Sequence, residues 1–248
     1  MADECGYDPD WWKAAKAVSI ERKRRVTAAG ATAKPGDSFL IVTEGEVSEP
    51  VYFEFLLRDI QLYTVRVKVV PGDASDPRHV IETAARIVKR QNTLSRRNQL
   101  AVTEPKKFDH VWAVIDTDVA VRQGFWNDVK QLANARKVKL AHSTPCFEFW
   151  LLLHLQDTTR ADLVDGDAAK HAVKLALGQE YSTNRDIARK VLPLFIPDWP
   201  KAIRNAERVR QHHLDAQSQE PANPSTEIDQ LVKDLNSSAP EHARKALD

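Results

Sequence analysis

The chain has 248 residues, 42% of them hydrophobic and 29% charged, with 36 Lys and Arg against 35 Asp and Glu for a formal net charge of +1. That length and apolar content support a sizeable core, and the balanced charge means that any nucleic-acid partner must be met by a local basic surface. Two cysteines, Cys5 and Cys146, are too few for a disulfide framework or a zinc site; no stretch approaches the roughly 20 apolar residues of a membrane span, and the acidic start (Asp3, Glu4, Asp8, Asp10) is unlike a signal peptide, so a cytoplasmic protein is expected.

Residues 1–38 open with Trp11-Trp12, pass through Arg22, Lys23, Arg24 and Arg25, and end in the small-residue run TAAGATAKPGDS. They read as an arm that is at most partly helical, whose basic run either touches phosphates or a partner or is a solvated tail. Phe39 to Val42 is a short apolar run, expected as a buried strand of a parallel sheet. Glu44-Gly45 ends it. Ser48-Glu49-Pro50 predicts a helix start, with Ser48 as N-cap and Glu49 and Pro50 in the first turn. Tyr52, Phe53, Leu56 and Leu57 then recur at helical spacing over about 13 residues. Val65, Val67 and Val69 alternate with Arg66 and Lys68 as a strand with one wetter face, closed by Pro71-Gly72-Asp73.

From Pro77, the positions Val80, Ile81, Ala84, Ile87 and Val88 predict a second helix that fades into KRQNTLSRRNQ at 89–99, read as loop. HVWAVIDTD at 110–118 is an apolar strand running into Asp116 and Asp118. Phe125, Val129 and Leu132 give another helix, and Val138 to Leu140 another short strand. The alternation of strand and helix predicts an α/β fold, a Rossmann-like parallel sheet with helices on both faces. From 145 onward the pattern is helical, with Phe147, Trp150, Leu151 and His154 at spacings of three and four and further helices near 168–178, 183–192, 199–213 and 226–235. The expected division is an arm at 1–38, one domain at 39–236 whose C-terminal half is helical, and a tail at 237–248.

Residues two apart in an extended chain face the same way, so a strand that persists through Asp118 would present Asp116 and Asp118 to one side at the carboxyl edge of the sheet, where ligands of open α/β sheets bind. Two like charges so placed call for a cation. A hard ion such as Mg²⁺ or Mn²⁺ takes oxygen ligands, and Asp116, Asp118 and Glu44 from a neighbouring strand form a suitable set with positions left for water and phosphate oxygens. The alternative is two solvated loop aspartates. STPCFEFWLLLHL at 143–155 places Glu148 near the start of a very apolar helix, either complementing its dipole or serving the same site. Cys146 and His154 read as core residues.

Four stretches in order, LIVTEGEVSEPVYFEFL, VWAVIDTD, STPCFEFWLLLHL and NPSTEIDQLVKDL at 223–235, resemble the RloB-like family, a branch of the Toprim superfamily associated with bacterial defence loci. The resemblance spans roughly 39 to 235. It implies a Toprim fold and a Mg²⁺-dependent (or Mn²⁺-dependent) nuclease, with Glu44 as the glutamate after the first strand, Asp116 and Asp118 as the DxD pair, and Glu49 and Glu148 completing the catalytic set at a second metal position. It also implies an anti-phage effector working with an ATPase partner, with homo-oligomerisation open. Thr43 stands before Glu-Gly where the family more often has Cys, a change that removes no carboxylate.

Phosphodiester hydrolysis by bound metal needs no nucleophilic side chain, which suits this sequence. Arg22 to Arg25, Lys106, Lys107 and the helix bearing Lys201, Arg204, Arg208 and Arg210 are the expected nucleic-acid contacts, with Arg204 and Arg208 on one face. Two alternatives are a non-catalytic subunit of a defence complex and a phosphatase using the DxD aspartates as nucleophile and acid. The second leaves Glu44 unexplained.

Overall fold

The computed structural model describes residues 37–69, 76–101 and 104–247; Trp11-Trp12 and the basic run Arg22 to Arg25 lie outside the described residues. Strand β1 (Phe39–Thr43) leads through Glu44-Gly45 into helix α1 (Ser48–Asp59) and β2 (Val65–Val69), as the apolar pattern predicts. Helix α2 (Pro77–Arg96) then returns the chain to β3 (His110–Asp116) on the other side of β1. A one-turn α3 (Asp118–Arg122), α4 (Trp126–Arg136) and β4 (Lys139–Thr144) follow. The sheet order is β2-β1-β3-β4-β5, with the first four strands parallel and β5 (Ser225–Thr226) antiparallel to β4.

Alternation along the strands sends their side chains to two cores. Phe39 and Ile41, with Trp112, Val114 and Ala141, pack on α1 and the C-terminal helices. Leu40 and Val42, with Ala113 and Ile115, pack on α2 and α4. All five residues of β1 are buried, as a central strand covered on both faces requires. Since α1 covers one face and α2 the other, the chain reverses its winding between β1 and β3, and the carboxyl ends of these two strands flank the crevice where ligands of open α/β sheets bind.

Helix α2 differs from expectation. It runs to Arg96, through the basic stretch read as loop, because Lys, Arg, Gln and Leu are strong helix formers and Gln91 Nε2 donates to the Pro105 carbonyl, tying the helix to the following loop. Asp76 caps its start, accepting the Arg78 N–H at 2.9 Å. The C-terminal half is α5 (Phe147–Leu155), α6 (Gly166–Leu177), α7 (Arg185–Val191), two 3₁₀ turns, α8 (Trp199–Asp215) and α9 (Ile228–Ser238). Helix α5 is buried from Phe147 through His154 and forms the centre of this half. His154 is a satisfied core residue: Nδ1 pairs with the Trp150 carbonyl at 2.9 Å and Nε2 with the Tyr52 hydroxyl at 3.1 Å. Residues 239–247 return onto the body, where the Asn236 side chain exchanges two hydrogen bonds with the Lys245 backbone and Lys245 pairs with Asp59. No described helix is long and apolar enough to cross a membrane.

Candidate functional site

At the crevice, the ladder between β1 and β3 extends one residue beyond β1, the Glu44 N–H donating to the Val114 carbonyl at 3.1 Å. This fixes the Glu44 backbone beside the carboxyl end of β3. Its carboxylate crosses to accept the Asp116 N–H at 3.3 Å. Burial pushes Glu44 up to about 7, opposed by that hydrogen bond and reinforced by the charges of Asp118 and Asp76.

Glu49 sits in the first turn of α1 and is buried. Its carboxylate folds back to accept the Gly45 N–H at 3.1 Å. A Cβ on Gly45 would stand 2.0 Å from Glu49 Oε2, so only glycine leaves room for this return. Burial, with the charges of Glu148 and Glu44 added, pushes Glu49 up to about 7. Ser48, expected as the N-cap of α1, is instead a buried helical residue; the cap position is Val47, without a side-chain bond, and the Ser48 hydroxyl pairs with the Tyr181 hydroxyl at 3.1 Å. The helix starts one residue earlier than the Ser-Glu-Pro signature suggests.

Asp116 ends β3, and its Oδ1 accepts the Phe147 N–H at 2.9 Å. It thus caps α5 from another element, which Cys146 at the cap position does not do with its own side chain. Burial and the charges of Glu49, Glu148, Glu44 and Asp118 push Asp116 well above the usual aspartate range. Asp118 does not continue the strand. Thr117 takes a helical conformation with its hydroxyl paired to Thr144 at 2.7 Å, and Asp118 becomes the first residue of α3. The expected strand-type alignment of the two aspartates is therefore absent. Asp118 Oδ1 accepts the Val119 N–H at 2.7 Å, and Oδ2 lies 3.9 Å from Arg122.

Glu148 is buried in the first turn of α5 and accepts a hydrogen bond from the Tyr181 hydroxyl at 3.0 Å. Tyr181 lies between α6 and α7, and no pattern around it marks it in the sequence; it joins the set because folding brings it over the start of α5. Asp76 is the other acid that sequence reasoning missed, although Asp76-Pro77 before an apolar helix is a readable capping signal. Cys146 is buried, and that burial pushes its thiol up, as an inert core cysteine would be.

Carboxylates from four elements and one turn are thus gathered at one edge, felt by one another electrostatically. Among the described residues, none of Glu44, Glu49, Asp116 or Glu148 has a Lys or Arg partner, and Asp118 has only the distant Arg122. Uncompensated acids this close and this desolvated fit a divalent cation in charge and in ligand type. Each carboxylate is, however, turned to a donor of its own, and among the described residues no three His, Cys, Asp or Glu side chains already stand in a ligating array. Each carboxylate accepts through one oxygen and keeps further lone pairs for an ion, so binding one requires the side chains to draw together.

Among the described residues, the basic side chains expected to guide nucleic acid are not at this edge, and Arg22 to Arg25 lie outside the described residues. Lys201 Nζ donates to the Leu155 carbonyl at 2.8 Å and Arg208 pairs with Asp157 at 3.1 Å, both at the end of α5 away from Glu148. Arg210 lies against the buried Asp229 at 2.6 Å, and Arg204 also has an interaction partner. Lys107 pairs with Asp109 at 3.0 Å before β3 begins, with Lys106 beside it.

The chain matches the RloB-like protein family over residues 39–235. It belongs to that family. The matched region encloses all five acids and leaves the N-terminal arm outside. No curated protein and no solved structure matches this RloB-like chain.

Proposed function

We propose that this RloB-like protein is a divalent-metal-dependent nuclease that hydrolyses phosphodiester bonds in DNA or RNA. The observation carrying the reading is the convergence of Glu44, Glu49, Asp116, Asp118 and Glu148 on one crevice with almost no cationic partner among the described residues. Glu44, Asp116 and Asp118 are the residues that would hold Mg²⁺ or Mn²⁺, with Glu49 and Glu148 beside them. The ion, when bound, supplies Lewis acidity toward a phosphate oxygen and a water made acidic enough to attack at neutral pH. The chain's own part is to hold the acids in place: the Asp116 N–H orients Glu44, the Gly45 N–H orients Glu49 and Tyr181 orients Glu148. By family resemblance, the activity belongs to an anti-phage system and is restrained or released by an ATPase partner.

A second reading, a non-catalytic subunit of the same kind of complex, draws support from the internal donor found for each carboxylate. One experiment separates them. Purified protein is incubated with labelled plasmid, single-stranded DNA and total tRNA in Mg²⁺, Mn²⁺ or chelator, beside Asp116→Asn. Metal-dependent cleavage lost in Asp116→Asn supports the nuclease, and cleavage that persists in the variant or in chelator overturns it.

A further inference from the structure

The helical layer on the Leu40 and Val42 face differs in charge from the rest of the molecule. Residues 76–97 hold six Lys and Arg against Asp76 and Glu82, and residues 126–137 hold three against Asp128, a net of +6 on a chain whose total is +1. The remainder is therefore acidic overall. Part of the excess is met internally, Lys130 lying 3.7 Å from Glu220. Asp76 is held by Arg78 at 2.6 Å and Glu82 by Arg136 at 2.7 Å, while Lys89, Arg96 and Arg97 form no ion pair among the described residues.

Lys89 and Arg96 lie seven residues apart on α2, hence on one stripe of the helix, and Arg86 continues that stripe toward the N-terminus. With Arg136 from α4 they edge a groove of ≈ 340 Å³ that has Ala85 and Val88 against it, Asn92 and Thr93 on its rim, and no acid in its lining. Helix α2 starts at Pro77, next to the Asp76 whose charge reaches Glu44. At about 1.5 Å per residue, Lys89 is roughly 18 Å and Arg96 roughly 28 Å along the helix from that start. The stripe thus leads away from the acidic crevice over a length comparable to one turn of a duplex, about 34 Å.

We infer that this groove and the basic stripe of α2 hold the sugar–phosphate backbone of nucleic acid whose scissile bond lies in the acidic crevice. The inference rests on the nuclease reading and supplies its missing docking surface. Guanidinium groups engage phosphate oxygens in pairs, and a groove whose polar groups are mostly cations fixes a strand without reading its bases.

The test is fluorescence anisotropy with labelled single-stranded DNA, duplex DNA and tRNA, in chelator, so that binding is read without cleavage. The full chain is compared with the double variant Lys89→Glu/Arg96→Glu and with Arg208→Glu on the opposite side. The expected result is binding by the parent and by Arg208→Glu, with at least tenfold weaker binding by the double variant. Its plot of log affinity against log salt should be shallower by at least about 1.4, the ~0.7 per lost phosphate contact of a single strand. Unchanged binding in the double variant, equal loss in Arg208→Glu, or a parent that binds none of the probes overturns the groove. In the last case the stripe is left to an acidic protein partner. The two readings fail separately: binding that depends on Lys89 and Arg96 without cleavage in any metal leaves the groove and removes the nuclease, whereas metal-dependent cleavage undiminished in the double variant does the reverse.

Discussion

Glu44 and Asp116, 72 residues apart in sequence, are joined directly: the Asp116 N–H donates to Glu44 Oε2 at 3.3 Å. The bond aligns the ends of two neighbouring parallel strands and places their carboxyl groups close enough to repel. Asp116→Asn keeps an oxygen for the Phe147 N–H while removing the charge most opposed by its neighbours. Its melting temperature in chelator at pH 7.5 should equal or exceed the parent's, because a repulsive term is gone. Isothermal titration with Mn²⁺ should show binding by the parent and none by the variant. A variant melting several degrees lower would mean that the charge of Asp116 is structural, and undiminished Mn²⁺ binding would remove it from the metal set.

Much of this geometry was readable in the sequence. The runs FLIVT and HVWAVID mark buried parallel strands by length and composition, and a carboxylate directly after each is an unusual way to end one. The parts not readable depend on contacts distant in sequence. Thr117 leaves the strand because its hydroxyl finds Thr144, which converts the expected DxD alignment into a strand-end acid and a helix-start acid. Ser48 carries every mark of an N-cap but is recruited inward by Tyr181, 133 residues away. The stretch 89–96 was obscured for a different reason: its polar residues are as good at forming an exposed helix surface as a loop, and only the Gln91 bond to Pro105 shows which. The two-residue β5 is too short to give a periodic signal.

Gly45 yields a second prediction. Its N–H holds the Glu49 carboxylate, and a methyl group there would occupy the space of Glu49 Oε2 and Oε1. Gly45→Ala should therefore displace the carboxylate and reduce cleavage about as much as Glu49→Gln does. The double variant should be little worse than either single one, since both remove the same arrangement. Additive losses, measured as kcat/KM on one substrate, would show that Gly45 and Glu49 act separately.

Two buried groups set opposite pH dependences. Burial pushes His154 down to about 3 from 6.5, so the unfolded chain binds the extra proton first; its contribution is present above about 6.5 and is lost as pH falls, by at most about 1.4 kcal/mol per pH unit. Glu49, pushed up to about 7 from 4.5, has the reverse sign. Its protonated form is tolerated in the fold, so stability is full below about 4.5 and is lost as pH rises through about 7. In chelator, the stability difference between Glu49→Gln and the parent should grow in favour of the variant from pH 5 to pH 7 and level off beyond. Urea unfolding at four pH values checks this. A difference that does not change with pH would show that Glu49 is ionised throughout the folded state.

Glu148 and Tyr181 carry the last prediction. Glu148 lies in the first turn of α5, where a charge complements the helix dipole, and it also accepts the Tyr181 hydroxyl inside the acidic set. Glu148→Gln keeps shape and an acceptor oxygen. If the charge serves the metal site, cleavage should fall at least about a hundredfold, roughly 2.7 kcal/mol of transition-state stabilisation, with the folded state unchanged or more stable. If it only complements the dipole, stability should drop by about 0.3–1 kcal/mol and cleavage should persist. Tyr181→Phe distinguishes holding the carboxylate from supplying its charge. It leaves Glu148 ionisable but without its hydroxyl donor and should lower stability by about 1–3 kcal/mol, while cutting cleavage less than Glu148→Gln does. Melting and cleavage measured on the same preparations decide the matter: a Glu148→Gln protein that cleaves fully and melts lower would make Glu148 a helix-start residue and nothing more.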